Sequence, residues 1–150
     1  MFLTTYTFDK EYFEKVYHKG QEKIWDGRKV LAELLEKHPD IKLDEIQATA
    51  LKNILAIILW GEYVAWNVSS EMSAKFEEQG AKMAAVSQAH DEARHFYVMK
   101  DYLEKRLNYK PESIFEPALK VLDEVSKTKC LAKKLLGLQF EIVTGKHRNA

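Results

Sequence analysis

The chain has 150 residues, enough for one domain with a real core, and its 46% apolar and 31% charged residues are the balance of a soluble globular protein. Lysine plus arginine and aspartate plus glutamate both number 23, so the formal net charge is zero, which argues against a broad nucleic-acid footprint. A single cysteine, Cys130, rules out an internal disulfide and a thiolate zinc cluster and fits a reducing compartment.

The first residues lack the basic and apolar regions of a signal peptide. The longest apolar run, Ile54 to Trp60, is seven residues, too short to span a bilayer. The expectation is a cytoplasmic protein with no membrane partner. With 3 prolines and 6 glycines to interrupt the chain, long helices are expected.

Residues 1–8, aromatic and β-branched, read as an extended arm. Asp9 is an N-cap for a helix over 9–19, which Gly20 breaks or bends. A second helix over 21–37 carries Ile24, Val30, Leu31, Leu34 and Leu35 at helical spacing, and His38-Pro39-Asp40 ends it. Asp44, with Gln47 three residues on, forms a capping box for a long helix from Glu45 to about Glu77. Gln79-Gly80 reads as the turn, and a second long helix follows from Ala81 to Leu107. Its small residues Ala81, Ala84, Ala85 and Ala89 permit close approach of a neighbour. Asn108-Tyr109-Lys110-Pro111 ends it. A helix over 113–127 with Pro117 in its first turn and another over 129–144 complete a chain without repeats or linkers. The class is all-α, with long antiparallel helices in one domain.

The chemistry centres on Asp91-Glu92-Ala93-Arg94-His95. Glu92 and His95 are three apart and share a helix face. With the turn at residues 79–80 and a rise of ~1.5 Å per residue, Glu62 lies ~26 Å from it, Glu92 ~19 Å and His95 ~23 Å, so the three side chains reach one level. Glu71, only ~13 Å out, is the poorer partner and reads as solvated. Glu62 sits in Leu59-Trp60-Gly61-Glu62-Tyr63-Val64-Ala65-Trp66, and Glu141 in a similarly apolar stretch, 135–143. A carboxylate buried without a partner costs several kcal/mol, and a metal would satisfy it. Asp91 is placed to serve the free ring nitrogen of a ligating histidine on another helix, with Arg94 pairing the aspartate.

At these residues the chain resembles the ferritin-like di-iron carboxylate superfamily. It is most similar to the oxygen-activating branch of hydroxylase subunits, arylamine N-oxygenases and ribonucleotide reductase small subunits. The family pattern is Glu on one helix, Asp-Glu-x-Arg-His about thirty residues on, then the pair again. Glu62 and Asp91–His95 match the first half, and Glu141 matches the acid of the second. Lys23-Ile24-Trp25-Asp26 is similar to the aromatic segment preceding the bundle in some members.

The resemblance implies a ferritin-like four-helix bundle and a di-iron centre, with manganese or mixed metal as the other option. Its ligands would be Glu62, Glu92, His95 and Glu141, with Asp91 and Arg94 behind them. It also implies an oxidoreductase served by an electron-donor protein. The second Glu-x-x-His is absent from residues 142–150. Three explanations stand: a truncated relative, a homodimer whose chains share the site, or a vestigial site in a non-catalytic iron-binding or oligomerisation protein.

Other residues have plainer readings. His90 lies on another part of its helix and is not a ligand; His18, His38 and His147 are surface residues. Trp60, Tyr63, Trp66, Phe96 and Tyr97 read as core. The lysines at 120, 127, 129, 133 and 134 read as a solvated face. Cys130 has no histidine near it in sequence to activate it.

Overall fold

The computed structural model describes residues 10–137, apart from 39, 41 and 113. The expected N-terminal arm, the Asp9 cap and Glu141 all lie outside the described residues. Within them the protein is an all-α bundle with no strand. Its helices are α1 (Lys10–Glu22), α2 (Gly27–Lys37), α3 (Glu45–Lys75), α4 (Gln79–Leu107) and α5 (Glu116–Lys127). A helical segment over 131–137 follows, labelled α6.

The long hairpin of α3 and α4 is the frame. Asp44 caps α3 as its sequence predicts: its carboxylate accepts from the Gln47 N–H at 2.8 Å, and the Gln47 side chain accepts from the Asp44 N–H at 3.2 Å. The turn falls at Phe76-Glu77-Glu78, not at Gln79-Gly80. Glu78 is the cap of α4, accepting from the N–H groups of Gly80 and Ala81. Gly80 is therefore inside the helix and buried, where a Cβ would stand 2.8 Å from the Phe13 Cβ of α1. At the far end Asn108 closes α4 in the left-handed conformation, φ 44°.

α4 is the central helix, packed on α1, α2 and α3, while α5 packs on α3. α1 does not stop at Gly20. It runs to Glu22, and Gly20 lies against Ser87 of α4, its missing Cβ only 2.3 Å from Ser87 Oγ. Nor is 21–37 one helix. The chain breaks at 23–26, and Asp26 restarts it by accepting from the Arg28 N–H at 2.9 Å. Arg106 of α4 holds the exit from α2, donating to the carbonyls of Leu35 and His38 and to Asp40.

The core lies where α3, α4 and α5 meet: Val64, Ala65, Val68 and Met72 against Ala85 and Leu122. Thr128 ends α5, so residues 127–128 break the chain rather than bend it. α6 is tied to α3 by Lys134, which donates to Glu71 and to the Ser126 carbonyl at 2.9 Å. Lys134 is 3% exposed, so it does not belong to a solvated lysine face, and its partner Glu71 is not simply solvated. By length and composition α3 is long and apolar enough to cross a membrane, a property the seven-residue run within it understates.

Candidate metal centre

The turn position sharpens the depth argument. With Glu77 at the middle, Glu62 and Glu92 both lie ~22 Å along their helices, face to face. Small residues on α4 (Ala85 and Ala89 are buried) let α3 come close enough for the two carboxylates to share one space. His95 is one turn further along α4, on the Glu92 side.

One ligand atom each of Glu62, Glu92 and His95 lie within 4.8 Å of one another. Nδ1 of His95 faces both acids, 3.1 Å from Glu92 Oε2 and 3.4 Å from Glu62 Oε2. Nε2 points the other way, 3.9 Å from Asp91 Oδ1. Asp91 is paired with Arg94. The sequence expectation sets Asp91 behind a histidine of another helix; among the described residues the imidazole near it is His95. The imidazole beside it belongs to α4 itself, because positions 91 and 95 are one turn apart.

Arg94 also donates to the Trp25 carbonyl at 3.3 Å and lies over the indole, 5.2 Å from its centre. The same indole stacks on the His95 ring at 6.0 Å. The break at 23–26 thus has a purpose in the architecture: it lays Trp25 over the back of the site. Gln88, one turn before Glu92, reaches Oε1 of Glu92 at 3.5 Å. Sequence reasoning passed over Gln88, although its i,i+4 spacing to Glu92 was the available signal.

The electrostatics are those of a cation site filled by a proton. Hydrogen bonding of the ring N–H to the accepting Glu62 and Glu92 carboxylates outweighs burial and pushes the His95 imidazole up to about 10. Burial pushes the Glu62 carboxyl up, and the neighbouring Glu92 adds to this against the opposing pull of His95. Burial also pushes Glu92 up, but hydrogen bonds with His95 and Glu62 and the imidazolium charge together hold it below the usual glutamate value. Two acids therefore converge on one positive group, the His95 imidazolium.

The donor set suits a metal ion. Two ligands on one ion stand at most twice the bond length apart, ~4–4.4 Å for bonds of 2.0–2.2 Å, so the 4.8 Å spread closes onto an ion with side-chain shifts of tenths of an ångström. Carboxylate and imidazole donors accommodate iron, manganese or zinc. Asp91, 3.9 Å from Nε2, would have to close to hydrogen-bond distance to fix the tautomer that leaves Nδ1 free to bind.

The remaining residues sort as follows. His18, His38 and His90 are exposed, and none belongs to the cluster. His147 lies outside the described residues. Cys130 is exposed. Tyr63, Trp66 and Phe96 form an aromatic cluster, but Tyr63 and Trp66 are open to solvent, so the expectation that they are core is corrected. They pack on one another at the outer side of the hairpin. A cavity of about 590 Å³ lies between α1, α3, α4 and α6, with Glu92 in its wall beside Phe13, Val16, Ile24 and Met72.

Comparison with protein-family models, curated proteins and solved structures finds no match to this chain. The fold and site by themselves define an all-α bundle with a candidate carboxylate–imidazole metal-binding group.

Proposed function

We propose that this is a ferritin-like metal protein that binds iron through Glu62, Glu92 and Nδ1 of His95 and activates oxygen. The observation that carries the reading is the convergence of a buried and a partly buried acid from facing helices on one imidazole nitrogen, with Asp91 behind the other. Glu141 is the proposed fourth ligand, and Asp91 and Arg94 are the groups that hold His95 in orientation. Iron at such a site, or manganese in its place, would supply the electrons for oxygen reduction.

The chain's own contributions are more specific. Glu62 and Glu92 neutralise a dication, the Asp91 charge lies behind Nε2 of His95, and Gln88 supports Glu92. The cavity beside Glu92 offers an apolar organic substrate room next to the ion. The reading carries with it an electron-donor protein and residence in the cytoplasm.

The experiment is metal analysis by plasma mass spectrometry of the purified protein, the Glu92→Ala variant and the His95→Ala variant. Both substitutions should empty the site. Unchanged metal content in either would end the ligand assignment. A second reading, iron binding or assembly without substrate chemistry, is favoured by the apolar exposed side of α3. Oxygen uptake with a chemical reductant separates the two, since the non-catalytic protein would consume no more than its bound iron requires.

A further inference from the structure

The cavity of about 590 Å³ beside Glu92 has the size of a small-molecule site, roughly 300–1,000 Å³. Phe13, Val16 and Ile24 line it from the α1 side, Met72 and Phe76 from the end of α3, and Leu135 from α6. Such a wall takes an apolar body. Apart from Gln21, the polar side chains of the described wall come from one stretch of α4, Ser87 to Arg94. The cavity thus has an apolar part and a polar end.

The charges at the polar end decide which head group fits there. The Arg94 guanidinium is already committed, donating to Asp91 and to the Trp25 carbonyl. It is not free to hold an anion. Glu92 is only 7% exposed, and its two oxygens differ. Oε2 faces Nδ1 of His95 at 3.1 Å, whereas Oε1 meets the Gln88 amide at 3.5 Å, the far limit of a hydrogen bond. Gln88 lines the cavity as well, which puts Oε1 on the cavity side. A carboxylate oxygen accepts two hydrogen bonds, so Oε1 has capacity for a donor brought in through the cavity. A carboxylate or phosphate in the same place would meet the like charges of Asp91 and Glu92.

We propose that the cavity takes an apolar organic amine, with its body among Phe13, Val16 and Met72 and its nitrogen donating to Oε1 of Glu92. This names the substrate class of the oxygen-activating reading. It rests on that reading for what becomes of the ligand, but the binding itself needs no metal. An ammonium on a carboxylate is a charge-assisted hydrogen bond, the strong kind, and it forms here out of bulk water. An alcohol of the same shape keeps the apolar contacts and loses that strength. An acid of the same shape keeps the apolar contacts and adds repulsion.

The test is isothermal titration of the chelator-treated full chain with octylamine, octanol and octanoate, three probes of one shape. Octylamine should bind once per chain and about 10-fold or more tighter than octanol, the difference a hydrogen bond to a charged group supplies. Octanoate should bind more weakly than octanol. Glu92→Gln should keep the octanol affinity and bring the preference for the amine down to about 2-fold or less. Val16→Trp, which fills the apolar part, should abolish binding of both the amine and the alcohol. Circular dichroism checks the fold of Val16→Trp, and Ile24→Trp replaces it if it fails to fold.

Octanoate bound as tightly as octylamine would overturn the amine class. A preference for the amine that survives in Glu92→Gln would overturn the contact with Glu92, and binding unchanged by the tryptophan variants would place the ligand outside the cavity and overturn the site. Metal content of the untreated chain is read separately. A chain that holds metal but does not prefer the amine overturns this proposal and leaves the metal-binding reading standing. A chain that prefers the amine but holds no metal supports the amine site and ends the metal-binding reading.

Discussion

Glu62 and Glu92 stand at equal sequence distance on either side of Glu77, the middle residue of the turn between α3 and α4. A hairpin pairs equidistant positions, so the two acids meet by construction of the backbone. His95 then completes the group from one turn beyond. The site is therefore a property of one hairpin, and its behaviour can be forecast from few side chains.

Asp91→Asn should weaken metal binding by about 10–100-fold without removing a ligand, the range expected when the partner of a ligating histidine is lost. Glu92→Gln should weaken it further. Competition titration with a fluorescent chelator measures both. Equal affinity for wild type and Asp91→Asn would remove Asp91 from the site.

The metal-free protein should lose stability as pH rises from 6.5 toward about 10. The His95 imidazole titrates near 10 in the folded chain against an ordinary value of 6.5, so the folded state holds this proton more tightly than the unfolded state. Its contribution is complete below 6.5 and disappears as pH passes the folded value. Urea midpoints across this range should fall for the chelator-treated wild type and stay flatter for His95→Gln. A metal ion at Nδ1 must displace the same proton, so affinity should rise with pH and binding should release protons. Calorimetry in buffers of different ionisation enthalpy reads that release.

Glu71→Ala should destabilise the fold by about 1–3 kcal/mol, because it strands the buried Lys134 ammonium. Glu71 is itself partly in water, which keeps the figure below that of a fully buried pair. Lys134→Met removes the charge along with the partner's need for it and should cost less. Urea denaturation of the two variants gives the order, and a larger loss for Lys134→Met would contradict it.

Gly20→Ala and Ser87→Ala should be strongly coupled. A methyl at residue 20 meets Ser87 Oγ at 2.3 Å, whereas Ser87 Cβ lies at a comfortable 3.6 Å. With the hydroxyl gone, alanine in α1 should recover the helix preference over glycine, about 1 kcal/mol. The double variant should thus melt above Gly20→Ala alone. Additive effects would mean that α1 and α4 are not in contact there.

The hairpin and its capping box were legible because Asp44, Gln47 and the long apolar periodicity act within a few residues of one another. The triad was legible for the same reason once a turn was assumed. What misled was glycine. Gly20 and Gly80 read as breaks, yet each lies inside a helix where a second helix comes too near for a side chain. Lys134 was unreadable locally, since its partner is 63 residues away. The Trp25 break had a signal, Asp26 before Gly27, that the surrounding apolar spacing outweighed. Glu141 belongs to neither group, lying outside the described residues.

The placement of all three donors on one hairpin also has a meaning in time. A ribosome finishes Glu62, Glu92 and His95 before any residue of α5 has been made. Two adjacent helices closing on each other need no distant segment, and such neighbour contacts form early in folding. The nascent chain thus carries its whole described ion-binding group while its last helices are still being synthesised. A metal ion captured at that stage would act as a staple on a growing protein rather than as cargo loaded into a finished one.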